Sequence, residues 1–408
     1  MNESDIEGIR AWLVECGLAG AGEADILSGF GDRCAASDLP LARALVVIDT
    51  LHPIYEGRAF RWRDDGVEEK VMTEYGRTTE GDAAASWQRT VFYHLLVSGG
   101  SERRLCLVDG EGADYNALVE YRAEGYTDYV AFVHRFASAG SIGEMDAFYV
   151  QFLTRCEGGF TDAHLAALRA LVSSLALSIK CASLGRIAGT LAEVYLGRDA
   201  GRRVLSGRIA RGVADRMGAV LWFSDLRGYT AISDSAEPEE IIPFLNDYAA
   251  VVITAIHEAG GDVLKLMGDG TLAIFAAASG RKSKTDACRA ALHAERLLRE
   301  RLKPLNEARA AAGQPVTAAY LGLHVGEVFY GNIGSEERLD FTVVGPSVNE
   351  VSRIASMCRS VDRHVLVSSD FFAATPEEDR AAFVSVGRFA LRGVGRAQEL
   401  FTLDPALL

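Results

Sequence analysis

Two short runs, Phe223-Ser224-Asp225-Leu226-Arg227-Gly228-Tyr229-Thr230 and Lys265-Leu266-Met267-Gly268-Asp269-Gly270, each place an aspartate close to glycine at the end of an apolar stretch. Mg²⁺ takes oxygen ligands and keeps bonds to substrate phosphates, so such a pair suggests metal-assisted phosphorus chemistry on a nucleotide triphosphate. Ala219-Val220-Leu221-Trp222-Phe223 is apolar enough for a central strand, and Asp225 lies where it ends. Residues 226–230 lead on toward a helix, whose first backbone N–H groups can face phosphate oxygens. Gly268 and Gly270 permit a tight hairpin with Asp269 at its tip. A strand end and a hairpin tip of one sheet can meet although 44 positions separate them. In isolation Gly-Asp-Gly is only a turn, so other residues must decide.

Those residues come at Asp340-Phe341-Thr342-Val343-Val344-Gly345-Pro346-Ser347-Val348-Asn349-Glu350-Val351-Ser352-Arg353. Asn349 and Arg353 are four apart on a predicted helix, so a neutral polar group and a cation share one face. Alone, such a pair reads as a solvated helix face.

The elements that must position these groups follow from hydrophobic period. From Ala219 onward the expected order is strand 219–225, helix 238–258, strands 262–267 and 271–277, helix 285–311, strands 316–325 and 327–330 extending toward 343, helix 346–359, then strands at 365–368, 383–391 and 399–403. The opening βαββαβ order is that of a ferredoxin-like α/β (α+β) sheet with helices on one face and the other face left for a partner or substrate. Upstream, 42–49 reads as a buried strand or the end of a helix, 58–63, 90–98, 104–108 and 128–136 read as strands, and 113–123 as a helix. Thr161 or Asp162 can cap a helix carrying Leu165, Leu168, Leu171, Leu175 and Ile179 at helical spacing. That helix continues through Leu184, Ile187, Leu191 and Val194, a stripe able to pair with a second copy. Glycines at 197 and 201 break the pattern, so the expected organisation is an N-terminal domain (1–183), a helical linker (184–212) and a catalytic domain (213–408).

Composition narrows the partners. A formal charge of −14 argues against a broad nucleic-acid surface. No run of about 18 to 20 apolar residues is seen, so no membrane span is expected. Nor does Met1-Asn2-Glu3-Ser4-Asp5 open a secretory signal, and a soluble cytoplasmic protein is the expectation. Seven scattered cysteines without a Cys-x-x-Cys pair fit reduced structural thiols. His324 and His257 read as structural, and the Glu239-Glu240 and Glu336-Glu337 pairs as solvated.

Taken in order, Phe-Ser-Asp-Leu-Arg-Gly-Tyr-Thr, Lys-Leu-Met-Gly-Asp-Gly and Asp-Phe-Thr-Val-Val-Gly…Val-Asn…Arg resemble the catalytic domain of class III nucleotidyl cyclases, from about Val213 to Leu403. The resemblance implies that Asp225 and Asp269 hold two Mg²⁺ or Mn²⁺ ions, that Lys265 and Thr342 read the purine, and that Asn349 and Arg353 act on the transition state. Residues 226–230 would meet the phosphates, and Arg392 or Arg396 in Leu391-Arg392-Gly393-Val394-Gly395-Arg396 would hold the terminal ones. Lys265 is only a donor, which suits the adenine N1 acceptor and not the protonated N1 of guanine. Guanylate cyclases of the family generally carry Glu there, so ATP is the expected substrate and cyclic AMP the product. Many adenylyl cyclases have Asp where this chain has Thr342; a subset associated with bicarbonate-responsive members has Thr. The family shares each site across two subunits, and both halves of the site are present in this sequence, which implies a homodimer. The N-terminal order of elements and the Phe160-Thr161-Asp162 helix start resemble a GAF-type small-molecule sensor; a PAS-like domain, or a packing domain without ligand, is the alternative. A guanylate cyclase and a non-catalytic nucleotide-binding or dimerisation module are the competing functions.

Overall fold

In Arg43–Asp49 (β1) successive side chains point to opposite faces, and both faces are used: Ala44, Val46 and Ile48 enter one core, Leu45 and Val47 another. The structure is a computed structural model describing residues 1–67, 70–79, 81–136, 142–143, 145–277 and 283–404, and the chain divides into two units, Met1–Leu191 and Ala192–Leu408.

The first unit runs α1 (Glu3–Ala19), α2 (Glu23–Ala36), β1, β2 (Gly57–Arg63), β3 (Met72–Tyr75), α3 (Gly81–Gln88), α4 (Val91–Ser98), β4 (Glu102–Cys106), α5 (Asn116–Ala123), β5 (Asp128–Arg135), β6 (Ala147–Thr154) and most of α6 (Asp162–Leu196). Its antiparallel sheet has the order β3-β2-β1-β6-β5-β4. Helices α1, α2 and α6 cover one face, while residues of α4 and α5 pack on the other. The start of α6 is fixed twice. Thr161 Oγ1 accepts the His164 N–H at 3.2 Å, and the buried Asp128 carboxylate accepts from Arg104 Nη2 at 2.7 Å and from the Phe160 N–H at 2.8 Å.

Three expectations change here. Residues 90–98, read as a strand, form helix α4: Thr90 accepts the Tyr93 N–H at 3.1 Å, Val91, Phe92 and Leu95 make a buried helical stripe, and Gly99 closes the helix in left-handed conformation. Its aromatic and β-branched residues carry a strand signal that the cap and the terminal glycine outweigh. Second, α1, α2, β3, α3 and β6 have no counterpart in the sequence reading. Strand β6 is buried at all eight positions, so it shows no alternation. Third, α6 is, among the described residues, a helix long and apolar enough to cross a membrane by length and composition, where none was expected; half of its most apolar window is buried.

The second unit contains α7 (Arg198–Leu205), β7 (Ala214–Leu226), α8 (Tyr229–Ser235), α9 (Pro238–Glu258), β8 (Asp262–Met267), β9 (Gly270–Ala277), α10 (Lys284–Ala311), β10 (Ala319–Gly334), β11 (Leu339–Val344), α11 (Pro346–Val361), β12 (Val365–Ser368), α12 (Ser369–Ala374), α13 (Glu377–Arg380), β13 (Phe383–Phe389) and β14 (Gln398–Leu403). Its sheet runs β13-β14-β12-β10-β7-β9-β8, with β11 paired to β10. The β7-α9-β8-β9-α10-β10 core has the expected βαββαβ order, and α9 and α10 bury one face through Val220, Trp222 and Phe275. The other face is not bare: Ala219, Leu221, Leu272 and Ile274 pack with Ala200 of α7, Phe341 and Val343 of β11 and Val351 of α11. The strands expected at 316–325 and 327–330 are one strand, β10. Gly326 between them marks a close approach rather than a break, since a Cβ there would lie 2.1 Å from Ser347 Oγ.

Candidate functional site

Register brings the two aspartates together. Ser224 on β7 pairs with Thr271 on β9, so the next residues, Asp225 and Gly270, lie side by side where the β8–β9 hairpin turns. Met267 pairs with Gly270 across a two-residue turn, Gly268-Asp269, whose first residue has φ 64°, a conformation glycine adopts without strain. Asp269 Oδ2 accepts the Leu226 N–H at 3.2 Å. The Asp225 carboxyl is pushed up to about 7, first by desolvation and then by the hydrogen bond and charge of Asp269, with the Leu226 N–H acting in the opposite direction. Two carboxylates held this close repel one another when ionised, and a divalent cation relieves that repulsion. The pair therefore fits Mg²⁺ or Mn²⁺ with further ligands from substrate oxygens.

The turn after β7 divides into used and free backbone. The Leu226 N–H is taken by Asp269, and the Arg227 N–H donates to Ala318 O at 2.7 Å. Gly228 caps the short α8 at φ 72°, and the first α8 bond is Ile232 N–H to Gly228 O, so Tyr229 and Thr230 stand ahead of the helical ladder. The Tyr229 ring stacks on Phe244 at 6.3 Å, which anchors the turn to the core. Of the five residues expected to face phosphate, Leu226 and Arg227 thus spend their N–H groups within the chain.

Lys265 lies on β8, one strand beyond β9, beside a register irregularity between Val263 and Lys265 that re-aims the strand. Its Nζ forms an ion pair with Asp340 Oδ2 on β11, both side chains nearly half exposed. Asp340 and Thr342 are two apart on β11 and so share a face. Asp340 was not among the expected site residues; the signal that could have found it is this i, i+2 spacing from Thr342.

Asn349 and Arg353 are exposed on α11, opposite its buried residues Val351, Ile354 and Cys358. Among the described residues neither side chain has a hydrogen-bond or ion-pair partner. The β13–β14 turn carrying exposed Arg392 and Arg396 packs through Leu391 against Ile354 and Cys358 of the same helix. This second cluster is removed from the aspartates in the sheet order, because β14, β12 and β10 lie between β13 and β7. Thr342 is separated in another way: it pairs with Gly331, which pairs with Ala214, eleven residues before Asp225 on β7. The structure of one chain joins Asp225 to Asp269 and Lys265 to Asp340, and among the described residues leaves the Asn349 and Arg353 side chains without partners.

His324 stands apart from the aspartates. It is buried, its Nδ1 lies 2.9 Å from Ser368 Oγ, and burial lowers its pKa against the opposing charges of Glu350 and Asp370. All seven cysteines are free thiols.

Residues 214–404 match the adenylate and guanylate cyclase catalytic domain. An adenylate cyclase of Anabaena cylindrica is 37% identical over 161 residues, which are 38% of this chain and 30% of that protein. Adenylate cyclase 1 of Rhizobium meliloti is 28% identical over 210 residues, 51% of this chain and 31% of that protein. A solved adenylyl cyclase structure from P. aeruginosa, 23% identical, covers 47% of this chain and 96% of its own, with a TM-score of 0.42. The chain thus spans about a third of the length of the curated relatives it matches. From residue 214 to residue 404 this chain carries an adenylate and guanylate cyclase catalytic domain.

Proposed function

We propose that the chain is an adenylate cyclase that works as a homodimer, converting ATP to 3′,5′-cyclic AMP and pyrophosphate. The observation that carries this reading is the meeting of Asp225 and Asp269 at the β7 end within a cyclase catalytic domain. Asp225 and Asp269 would hold two Mg²⁺ or Mn²⁺ ions, which when bound neutralise phosphate charge and make the ribose 3′-hydroxyl more acidic. The free backbone at Tyr229 and Thr230 faces the triphosphate. Lys265, steadied by Asp340, donates to adenine N1, and the Thr342 hydroxyl accepts from the adenine amino group. Asn349 orients the ribose, and Arg353 balances charge on the α-phosphoryl group. The 3′-oxygen bonds to the α-phosphorus, the bond to the bridging oxygen of the β-phosphate breaks, and its electron pair leaves with pyrophosphate while the hydroxyl proton passes to solvent.

Placement of the two clusters supports the dimer. Within one chain Asp225 and Thr342 belong to opposite ends of the β7 register, and Asn349 and Arg353 are exposed and, among the described residues, without side-chain partners. A second copy related by a two-fold axis supplies to each site what its own chain leaves elsewhere. Phe329 and Val344, paired at the root of the β10–β11 hairpin, and Leu266 and Met267 on β8 are exposed apolar residues suited to that contact. The first unit takes the part of a regulatory domain in this reading. The test is incubation of the purified chain with ATP or GTP and Mg²⁺ or Mn²⁺, followed by identification of the cyclic product. Absence of any cyclic nucleotide overturns the enzyme, and cyclic GMP in excess of cyclic AMP overturns the substrate.

A further inference from the structure

On the face of the first sheet that α1, α2 and α6 do not cover, the side chains leave a cavity of about 610 Å³. That is the size range of small-molecule sites. Leu45 and Val47 of β1 and Ala59 of β2 form an apolar floor. Tyr75, Trp87, Phe92, Tyr115, Tyr121 and Tyr129 form the walls. Flat aromatic walls favour a flat ring, which they meet face-on or edge-on.

The helix above this cavity is poorly supported by protein alone. None of the eight residues of α3 is buried, and isolated helices of that length are marginal in water. It packs on the unit through Trp87, set edge-on to Tyr149 at 5.4 Å and to Tyr93 at 6.4 Å. A core helix would press a stripe of side chains onto the sheet; this one spans a space that a ligand would fill.

Charge along the cavity is polar in the literal sense. Arg61 of β2 lines it, hydrogen-bonded through Nη1 to Thr73 Oγ1 at 2.9 Å and without a carboxylate partner among the described residues. Arg89 lies at the rim on the α3–α4 connection. Beyond Tyr75, Thr78 and Trp87, which line both spaces, a smaller cavity of about 260 Å³ is bordered by Asp49, Glu56 and Asp146. Tyr75 donates to Asp49 Oδ1 at 2.8 Å, and Glu56 accepts from both the N–H and the hydroxyl of Thr78, so these carboxylates are fixed in place. An anionic group is repelled from that end and drawn to the Arg61 fork. On the floor Gln151, only 6% exposed, accepts from Tyr129 and donates to Tyr121, each at 3.1 Å, which leaves the Tyr121 hydroxyl proton for an acceptor on the ligand.

We propose that this cavity binds a flat aromatic or heteroaromatic acid, with its ring among Tyr75, Trp87, Phe92 and Tyr121 and its carboxylate or phosphate on Arg61. The site lies wholly within the first unit and does not depend on the cyclase reading. Its test uses calorimetric titration of the full chain with three probes of one shape: naphthalene-2-carboxylate, naphthalene-2-methanol and 2-naphthylmethylammonium. The acid binds saturably and about tenfold or more tighter than the other two. In Arg61→Met the acid falls to the affinity of the alcohol while alcohol binding changes less than about twofold, which also shows that the cavity is intact. In Ala59→Leu, which fills the floor, both the acid and the alcohol weaken. The proposal is overturned if none of the probes binds saturably, if the alcohol or the ammonium matches the acid, or if Arg61→Met keeps the preference for the acid. A naphthyl phosphate titrated alongside the carboxylate separates phosphate-bearing from carboxylate-bearing ligands.

Discussion

Both units are built largely on antiparallel pairing, with β10–β12 a parallel pair in the second, yet they put their polar groups in different places. In the second unit the candidate metal ligands and the C-terminal arginines sit at ends and turns: Asp225 at the end of β7, Asp269 in the β8–β9 turn, Arg392 and Arg396 in the β13–β14 turn. In the first unit the polar groups sit in mid-strand on a sheet face, as Arg61 and Gln151 do, beneath short helices. Groups at strand ends can reach a second copy or a large polyanion. Groups on a covered face can reach only something small enough to be enclosed.

The comparison breaks first at the aspartates. Asp225→Asn should lower cyclic AMP formation by about a hundredfold or more, the scale of losing a preorganised charge contact, while the thermal midpoint holds or rises as repulsion with Asp269 is relieved. Mixing Asp225→Ala with Arg353→Ala, each inactive alone, should restore about a quarter of wild-type activity, because half the dimers are mixed and one of their two sites is intact. Failure to complement, with both variants dimeric by light scattering, removes the shared site. Next in size, Lys265→Glu should shift the ratio of kcat/KM for ATP over GTP by roughly 30-fold toward GTP, the worth of one buried donor left facing a donor, about 2 kcal/mol.

The first unit should answer with stability instead of rate. Glu23 is buried and receives Arg186 Nη2 at 2.6 Å. Burial works to raise its pKa, but the Arg186 hydrogen bonds and charge prevail and hold it below its ordinary value of 4.5. Because Arg186 is itself partly exposed, Arg186→Ala should cost about 1–2 kcal/mol, less than a fully buried pair, and lower the melting midpoint of the first unit by about 3–6 °C. The folded pKa lies under the unfolded one, so this contribution is complete above pH 4.5 and fades as pH falls through the folded value. Melting curves of the wild type and Glu23→Gln should therefore converge in acid; a gap that is unchanged at pH 3 and pH 7 contradicts the ion pair. The smallest effect belongs to the α6 cap: Thr161→Val should cost about 1 kcal/mol, read by denaturant titration.

The same contrast explains what could be read in the sequence. Asp225, Asp269 and the Asn349–Arg353 pair sit in short runs where turn residues, strand ends and helix spacing are local, so their elements were legible to within a few residues. Asp340 escaped because its role depends on Lys265, 75 positions earlier, across β8 and β11. The cavity of the first unit draws on β1, β2, β3, β5, β6, α3, α4 and α5, and its Arg61 and Gln151 are 90 positions apart in the chain. Strand β6 and helix α4 were obscured for physical reasons: one is buried on both faces, and the other is built from residues that also favour strands. Helix α6 was visible from its leucine spacing and its cap.

If the chain is the cyclase proposed above, the ion pair between Lys265 and Asp340 bears on the order in which a nucleotide arrives. A bare ammonium on an open surface attracts the most highly charged part of an approaching nucleotide, its phosphate tail, and would seat the molecule backwards. Paired with a carboxylate, Lys265 presents almost no net field at a distance, so the tail is left to be captured elsewhere. Only a group that arrives at contact range with a well-placed acceptor can then share the lysine. In the proposed reaction, the pairing would make Lys265 a late reader of the base instead of an early lure for the phosphates.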